Sequence, residues 1–340
     1  MSAKDSCAIT IGDQLFTTAY LQALDRPDFI DLHQHVFGQT FDEYWYDWKY
    51  QQRQSPALGM RNAAGQLIAN CAGVPRVLFL QGASYQAIQI GDVMVHPQWR
   101  GILSRKSPFY WVSQGFYQTQ IGPGAPYQIG FGFPSTRHLR LAQTLGLLSD
   151  GGLMWELSWP SNAATLPWHW PLHWQAQELF GNDPRWQEHI QAAWLAMQAH
   201  QDQWCWADRS SSELSWRYQE HPSHTYRYLI LKRPWSAAPL GIAVWRYDDA
   251  TQQSVLWLDW IGPPQYLHLA QQMMARLAKE CGADHLKAWF SQALCDRLKK
   301  TPHCTAQVVA HLGIPCTSAI DLAQAKTMPW WWMAGDTDFL

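Results

Sequence analysis

A basic loop in the first half of the chain has the residue types that bind a phosphorylated ligand. The stretch 88–110 reads IQIGDVMVHPQWRGILSRKSPFY, and its pattern predicts an apolar strand ending at Val95, then a turn and a helix. Amides at a helix N-terminus attract anions, and nearby Arg and Lys side chains add positive charge for a pyrophosphate. Gly101 allows close approach of the backbone. The residues expected to contact this ligand are Met94, Val95, Gln98, Arg100, Gly101, Ser104, Arg105 and Lys106.

Four side chains near this loop have the chemistry for proton transfer. Asp92 lies on the apolar strand, His96 at its end, and Tyr110 and His138 on the helices that follow. Histidine titrates near neutral pH, so both histidines are candidates for a general base. All four residues are our catalytic candidates, although a counterpart in the second half, Asp259, favours an architectural or acceptor-contacting role for Asp92.

Other chemical motifs are weaker. His33 and His35 have the spacing of a metal-binding pair on a strand, but the sequence offers no second cluster of His, Asp or Glu to complete four ligands. We therefore expect no metal. The sequence also lacks the Gly-x-Ser-x-Gly motif of hydrolases and the P-loop of nucleotide-binding proteins.

Hydrophobic periodicity predicts the elements that position these residues. In the first half we predict helix at 42–50, 104–119 and 136–145, and strand at 57–62, 66–81, 88–95, 127–133 and 151–158. In the second half we predict helix at 183–203, 212–220, 264–280 and 292–312, and strand at 225–232, 239–247, 254–261 and 285–290. The order of elements is similar in the two halves.

Local matches support an internal repeat. The segment DWKY around Trp48 matches SWRY around Trp216, an offset of 168, and Asp92 matches Asp259, an offset of 167. Two anchors in nearly one register favour a tandem repeat of one fold. A length of 340 residues is also typical of two domains. We predict domains at 1–158 and 183–340, joined by a Pro- and Trp-rich linker at 159–182.

Two stretches resemble the GNAT superfamily of N-acyltransferases. Gln98, Arg100 and Gly101 match its signature Gln/Arg-x-x-Gly-x-Gly/Ala, which lies between a strand and a helix and binds the coenzyme A pyrophosphate, while Leu103 departs from it. The segment from Gly132 through the next helix resembles the fifth GNAT strand and its following helix. There Ser135 replaces the usual Asn, and is expected to contact the coenzyme, and Ala142 replaces the Tyr that usually acts as general acid.

The whole layout resembles tandem-GNAT proteins associated with bacterial surface polysaccharides. This resemblance implies an α/β fold with two tandem GNAT-like domains, each a mixed, mostly antiparallel twisted sheet flanked by helices. It implies that acetyl-CoA or another acyl-CoA is the donor and that the parted fourth and fifth strands hold its pantetheine arm. An acceptor amine would attack the thioester carbonyl while a strand amide stabilises the oxyanion.

The second half is expected to differ in its ligand. Gly262 is followed by two prolines, which have no amide hydrogen to offer a phosphate, so this half is not expected to bind coenzyme A in the same way. We predict instead that it helps to form the acceptor site. The residues predicted to contact the acceptor are Trp48, Tyr50, Arg217 and Tyr218.

Composition limits the partners. The formal net charge is −2, with 25 basic and 27 acidic residues, which argues against nucleic acid as the main partner. The seven cysteines are scattered, and no apolar run is long enough to span a bilayer, so we expect a cytoplasmic protein. The 22 tryptophans fit either packing between domains or a ligand platform.

Three functions remain open from the sequence. The first is transfer of an acyl group, with acetyl as the first choice, to an amine of a small molecule or amino sugar. The second is a non-catalytic GNAT-like module that binds acyl-CoA or a glycan, motivated by Leu103 and Ala142. The third is a transferase with another donor such as aminoacyl-tRNA, against which the near-neutral charge argues.

Overall fold

The computed structural model of the protein describes residues 7–11, 13–38, 41–101, 104–163, 175–234, 236, 238–248 and 253–337. Its helices are α1 Arg26–Phe37, α2 Glu43–Tyr46, α3 Pro108–Gln120, α4 Thr136–Thr144, α5 Trp186–Gln198, α6 Ser211–Leu214, α7 Leu267–Glu280, α8 Gln292–Leu298 and α9 Leu322–Ala325. Its strands are β1 Cys7–Ile11, β2 Gln14–Tyr20, β3 Ala57–Asn62, β4 Leu67–Leu80, β5 Ala83–Val95, β6 Ile129–Phe131, β7 Leu148–Pro160, β8 Gln175–Leu179, β9 Cys205–Ala207, β10 Arg227–Lys232, β11 Pro239–Tyr247, β12 Ser254–Ile261, β13 His285–Ser291, β14 Thr305–Pro315 and β15 Trp330–Trp331.

The chain forms two compact units. Unit 1 consists of Met1–Val77, Tyr85–Gly151 and His311–Thr327, and unit 2 of Leu78–Ser84, Gly152–Ala310 and Met328–Leu340. The predicted second domain, 183–340, includes residues 311–327, whereas these residues belong to unit 1. The reason is long-range pairing, because Gly132 and Gly313 exchange two backbone hydrogen bonds of 2.9 Å.

The sheet of unit 1 has the order β1-β2-β3-β4-β5-β6. The β1–β2, β2–β3 and β3–β4 pairs are antiparallel, and the β5–β6 pair is parallel. Helix α3 packs on this sheet, and its buried Val112 and Phe116 join Met60, Ile68 and Ile88 in the core. The parallel pair at the end of the sheet positions the candidate site.

The sheet of unit 2 has the order β14-β7-β13-β12-β11-β10-β8. Strands β12 and β13 form a parallel pair. The β8–β10, β10–β11, β11–β12 and β7–β13 pairs are antiparallel. Its core is rich in tryptophan. The fully buried members include Trp186, Trp206, Trp245, Trp257 and Trp260.

The predicted fold class is confirmed: both sheets are mixed, mostly antiparallel and flanked by helices. The units also repeat in detail. A five-residue π-helix occupies Asp47–Gln51 in unit 1 and Ser215–Gln219 in unit 2, at the predicted offset. In each unit the tyrosine of this turn donates to an aspartate on the strand of the parallel pair, Tyr50 to Asp92 and Tyr218 to Asp259.

Several predicted elements are wrong. Residues 26–37, which include His33 and His35, form helix α1 and no strand; Pro27 lies in its first turn and Gly38 ends it in the left-handed conformation. The helix predicted at 292–312 ends at Leu298, and 305–315 form strand β14. Of the predicted linker, 164–174 lie outside the described residues, and 175–179 form β8, which pairs with β10.

Candidate functional site

In unit 1, strand β5 continues beyond its parallel pairing with the short strand β6. Strands β5 and β6 pair only over Ala87–Gln89 and Ile129–Phe131, and β5 then continues to Val95. Along this continuation the residues 90–93 and Val95 are partly exposed, whereas Met94 is fully buried. We call the space beside residues 90–95, where β5 runs on beyond its pairing with β6, the β5–β6 cleft.

The loop after β5 is held by its own polar groups. His96 Nδ1 accepts a hydrogen bond from the Gln98 amide at 3.3 Å, which caps a short 3-10 turn over Pro97–Trp99. Arg100 Nε donates to the carbonyl of Val95 at 2.8 Å and so closes the loop onto the end of β5. Gly101 has φ of +104°, a conformation that other residues rarely adopt.

The loop presents positive charge to solvent. Arg100, Arg105 and Lys106 are exposed, and in the part of the chain that the structure describes none of them forms an ion pair. Leu103, the departure from the signature, lies outside the described residues. The exposed side of the loop is therefore suited to an anionic ligand.

The start of α3 differs from the prediction. The helix begins at Pro108 and is capped by Ser107, so Ser104, Arg105 and Lys106 precede it and do not form its first turn. Pro108 has no amide hydrogen, and the Tyr110 amide donates to Ser107 Oγ at 3.1 Å. This N-terminus therefore offers fewer free amides than the sequence suggested, and the basic side chains must contribute more to any anion binding.

Helix α4 starts beside the end of β6. Ser135 caps it, and Ser135 Oγ accepts from the His138 amide at 3.4 Å. The His138 residue is exposed, and its ring stacks on Phe109 at a centroid distance of 5.7 Å. The contact between His138 and Phe109 therefore places the start of α4, with Ser135, next to the start of α3.

Asp92 lies at the centre of a buried polar cluster on β5. Its carboxylate accepts from Lys49 Nζ at 2.8 Å and from the Tyr50 hydroxyl, and His33 Nε2 lies 3.8 Å from its other oxygen. Asn70 Nδ2 donates to the Asp92 carbonyl at 2.9 Å. Asp92 has φ of +47°, so side-chain contacts hold an uncommon backbone conformation in the wall of the cleft.

Electrostatics favour the ionised form of Asp92. Burial alone raises the pKa of this carboxyl group, but the positive charge of Lys49, the proximity of His33 and the hydrogen bonds from Lys49 and Tyr50 outweigh it and lower the pKa. A carboxylate with a lowered pKa is a weak base. The geometry therefore favours Asp92 as a residue that holds β5.

The sequence of this region matches a known family. Residues 18–105, which include β5 and the loop, match the acetyltransferase (GNAT) domain. This part of the chain is therefore similar to a GNAT domain. A comparison with curated proteins found no match.

Several solved structures have a fold similar to that of this chain. A probable N-acyltransferase from Enterococcus faecalis V583 is 13% identical, with a TM-score of 0.68, and the alignment covers 92% of this chain and 74% of that chain. A GCN5-related N-acetyltransferase from Kribbella flavida is 13% identical, with a TM-score of 0.61 and coverages of 88% and 71%. An N-myristoyltransferase from Saccharomyces cerevisiae, solved with bound myristoyl-CoA, is 11% identical, with a TM-score of 0.53 and coverages of 97% and 86%. At these identities the likeness concerns the fold.

The catalytic candidates besides Asp92 differ in their burial and contacts. His96 is buried, and burial, His35 and Arg100 lower its pKa against the effect of Asp31, which favours the neutral ring. Because Nδ1 of His96 accepts from the Gln98 amide, its lone pair is engaged, which favours a capping role. Tyr110 is buried and lines, with Arg105, a cavity of about 200 Å³. His138 is the exposed histidine of the set, although burial of its ring and the charges of Arg137 and Arg100 lower its pKa.

The predicted acceptor residues are buried within their own units. Trp48 and Tyr50 lie inside unit 1, and Arg217 and Tyr218 inside unit 2, each at most 9% exposed. Tyr218 also lines a cavity of about 820 Å³ whose wall includes Tyr226. Their role toward an acceptor stays a prediction, while their hydrogen bonds give them a place in each unit's core.

The sequence did not identify Lys49 and Asn70, which both contact Asp92, as residues of the site. Lys49 stands in the repeated segment DWKY, opposite Arg217 of SWRY, and a cation kept next to the tyrosine in both repeats was the available signal. Asn70 lies on β4 and is fully buried, and the signal in the sequence was an amide side chain within an apolar strand pattern, which requires a specific partner.

Two further findings concern metals and membranes. Across the described ranges, no group of three or more His, Cys, Asp or Glu is placed to hold a metal ion. His33 and His35, on the helix α1, point in different directions, since residues two apart do not share a helix face. No helix in the described part of the chain is long and apolar enough to cross a membrane.

Proposed function

We propose that this protein transfers an acyl group from acyl-CoA to an amine. The amine nitrogen would attack the thioester carbonyl carbon, the carbon–sulfur bond would break, and the products would be an amide and free coenzyme A, with the amine proton passing to a base and then to the thiolate. The observation that carries this proposal is the β5–β6 cleft, which leads directly into the basic loop of a matched GNAT domain.

The cleft and the loop fit the two ends of such a donor. The partly exposed strand from Ile90 to Val95 offers backbone groups to an extended pantetheine arm and to the thioester oxygen. The exposed cations Arg100, Arg105 and Lys106 offer charge to the pyrophosphate. Gln98, Gly101, Ser104 and Ser135 stay proposed donor contacts.

Among the catalytic candidates, His138 has the properties that fit the base. The residue is exposed on the first turn of α4, whereas His96 is engaged as a cap and Asp92 is held as an ion pair. Tyr110 remains a candidate for the acid that meets the departing thiolate. We propose acetyl-CoA as the donor, a small-molecule amine or amino sugar as the acceptor, and the cytoplasm as the location.

The test is a calorimetric titration of the full chain with acetyl-CoA. We expect an Arg100→Ala/Arg105→Ala variant to bind at least about 100-fold more weakly, because it loses two charge-assisted hydrogen bonds that each contribute about 1.5–3 kcal/mol. A matched control is Arg140→Ala/Arg185→Ala, which removes the same charge from exposed positions on α4 and before α5. It should bind as the native chain does.

The outcomes separate the three functions. Tight binding that is lost only in the loop variant supports the donor site, and release of free thiol only when amines are added then supports an enzyme. Binding without thiol release for any amine tested favours the non-catalytic module. No binding of acetyl-CoA by the native chain overturns the acetyl-CoA proposal and favours another donor such as aminoacyl-tRNA.

A further inference from the structure

The position equivalent to the β5–β6 cleft is covered in unit 2. Strands β12 and β13 pair in parallel over Ser254–Trp257 and His285–Ala288, and β12 then continues to Ile261, as β5 continues beyond its pairing with β6. The continuation of β12 over Leu258–Ile261 is at most 2% exposed at every residue. In the continuation of β5, residues 90–93 and Val95 are partly exposed. The same strand position is therefore open in one unit and filled in the other.

The filling is a segment close to the C-terminus, Trp330–Asp336, which we call the C-terminal wedge. It runs along β13, where the Ser291 amide donates to the Trp332 carbonyl at 2.9 Å and Met333 forms an antiparallel bridge with Phe290. The Trp332 amide donates to Ser291 Oγ at 3.3 Å. The wedge thus uses the backbone edge that β13 exposes once it leaves β12.

The wedge also contacts β12. Ala334 packs against Leu258 in a buried apolar cluster. A Cβ atom at Gly335 would lie 3.1 Å from the Leu258 carbonyl oxygen and would overlap the Tyr218 hydroxyl, so glycine is required for this close approach. Arg217 donates to the Gly335 carbonyl. The segment therefore lies between the two parted strands and contacts both.

Arg209 forms buried ion pairs with Asp336 of the wedge and with Asp259 of β12, and we call these three residues the ionic latch. Asp336 accepts from Arg209 Nη2 at 2.6 Å and from the Met333 amide at 3.0 Å, and Arg209 Nε donates to Asp259 on β12 at 2.9 Å. The three side chains are at most 3% exposed. Burial alone lowers the pKa of Arg209, but the two carboxylates outweigh it and raise the pKa, so the cation is retained.

We propose that the C-terminal wedge occupies in unit 2 the cleft that receives the acyl-CoA arm in unit 1, so that the chain binds one acyl-CoA, in unit 1 alone. The half of this statement that concerns unit 1 rests on the proposed function. The half that concerns unit 2 rests on the contacts of Trp330–Asp336. The peptide backbone of the wedge satisfies the β13 edge, and Arg209 and Asp336 fill the space beside Asp259.

The test is amide hydrogen exchange of the full chain with and without acetyl-CoA, together with native mass spectrometry. Without ligand, we expect amides at 258–261 and 289–291 to exchange at least about 10-fold more slowly than those at 91–95. With saturating acetyl-CoA, the amides at 91–101 should slow while those at 258–261 stay unchanged, at one ligand per chain. A second bound equivalent, or new protection at 258–261, overturns the proposal.

An Asp336→Ala variant tests the latch directly. Removing one partner of a buried ion pair leaves Arg209 poorly compensated, so exchange at 258–261 and 289–291 should accelerate about 100-fold. The matched control is Asp296→Ala, whose carboxylate is 51% exposed and pairs with Lys299, and it should leave these amides unchanged. Native-like exchange in Asp336→Ala overturns the latch.

The two proposals fail in different ways. If acetyl-CoA neither binds nor protects 91–101, the proposed function fails, while the wedge is still judged by the ligand-free comparison of the two strands. If the ligand-free amides at 258–261 exchange as fast as those at 91–95, the wedge is overturned even where acetyl-CoA binds. If Asp336→Ala does not fold, the native chain decides through these same two measurements.

Discussion

At the scale of single residues, the candidate site depends on a buried ion pair. Lys49 and Asp92 are at most 10% exposed as side chains, and Asn70 and Tyr50 complete the hydrogen bonds around the aspartate. Burying two charges is unfavourable unless they are paired and hydrogen-bonded. The cluster therefore holds β5 in its φ-positive conformation at Asp92 only as long as all its members are present.

A Lys49→Met variant should lose about 3–5 kcal/mol in the free energy of unfolding, because it leaves the Asp92 carboxylate buried without its cation. The double variant Lys49→Met/Asp92→Leu should recover part of this loss, since it removes both charges. Chemical denaturation measures each value. The control Lys326→Met removes a 62% exposed cation from its pair with Asp150 and should change the free energy by less than about 0.5 kcal/mol.

The same pair has a defined pH dependence. The folded pKa of Asp92 is lowered, so its stabilising contribution is complete above the unfolded pKa of about 4 and is lost as the pH falls through the folded value. The difference in stability between the native chain and Lys49→Met should therefore shrink below about pH 4. A difference that stays constant across that range would contradict the ion pair as its source.

At the scale of elements, the loop between β5 and α3 decides how a donor would be held. Its shape depends on Gly101 at φ of +104° and on the cap that His96 provides. The start of α3 contributes little through its amides, because Pro108 has none and Ser107 engages that of Tyr110. The loop conformation and its basic side chains therefore carry the proposed recognition.

A Gly101→Ala variant should weaken acetyl-CoA binding about 10-fold, because a Cβ atom at this φ strains the loop by about 1–2 kcal/mol. The matched control is Gly124→Ala, at φ of +81° in an exposed turn of the same unit with open space around its Cβ position. Both variants should lose similar stability in thermal unfolding. Equal donor affinity in the two variants would show that the loop does not bind the donor.

At the scale of the whole molecule, each unit is assembled from three separate pieces of chain. In unit 1 the piece 311–327 lies beside the end of β6. His311 donates to the Pro134 carbonyl at 3.0 Å, Ala319 to that of Gln128 at 2.7 Å, and Gly130 donates to Ser318 Oγ at 3.1 Å. Unit 1 therefore needs residues that follow the predicted first domain by more than 150 positions.

A fragment of residues 1–158 should fail to fold cooperatively, because β6 then loses the backbone partners that 311–327 provide. Circular dichroism during heating, with the dispersion of amide NMR signals, measures this. The same fragment joined through a Gly/Ser linker to 311–327 should show a cooperative transition. Identical transitions in the two fragments would contradict the three-piece assembly of unit 1.

The sequence by itself determined the local elements with strong patterns. Strands β3, β11 and β12 match the predictions at 57–62, 239–247 and 254–261, and the Trp48–Trp216 and Asp92–Asp259 anchors identified the repeat. Such signals are local, because element type follows the side chains within a few residues. The strand at 305–315 was missed because the predicted helix at 292–312 covered most of it, although Ala310, Leu312 and Ile314 are buried at a period of two.

Only the tertiary structure decided which distant residues meet. Lys49 reaches Asp92, Gly313 pairs with Gly132, and Asp336 meets Asp259 through Arg209, each across a separation that no short pattern records. Closing a long loop costs entropy that depends little on its exact length, so many pairings are similar in cost and the packing of the whole unit selects among them. The open cleft of unit 1 and the filled cleft of unit 2 arise from that selection.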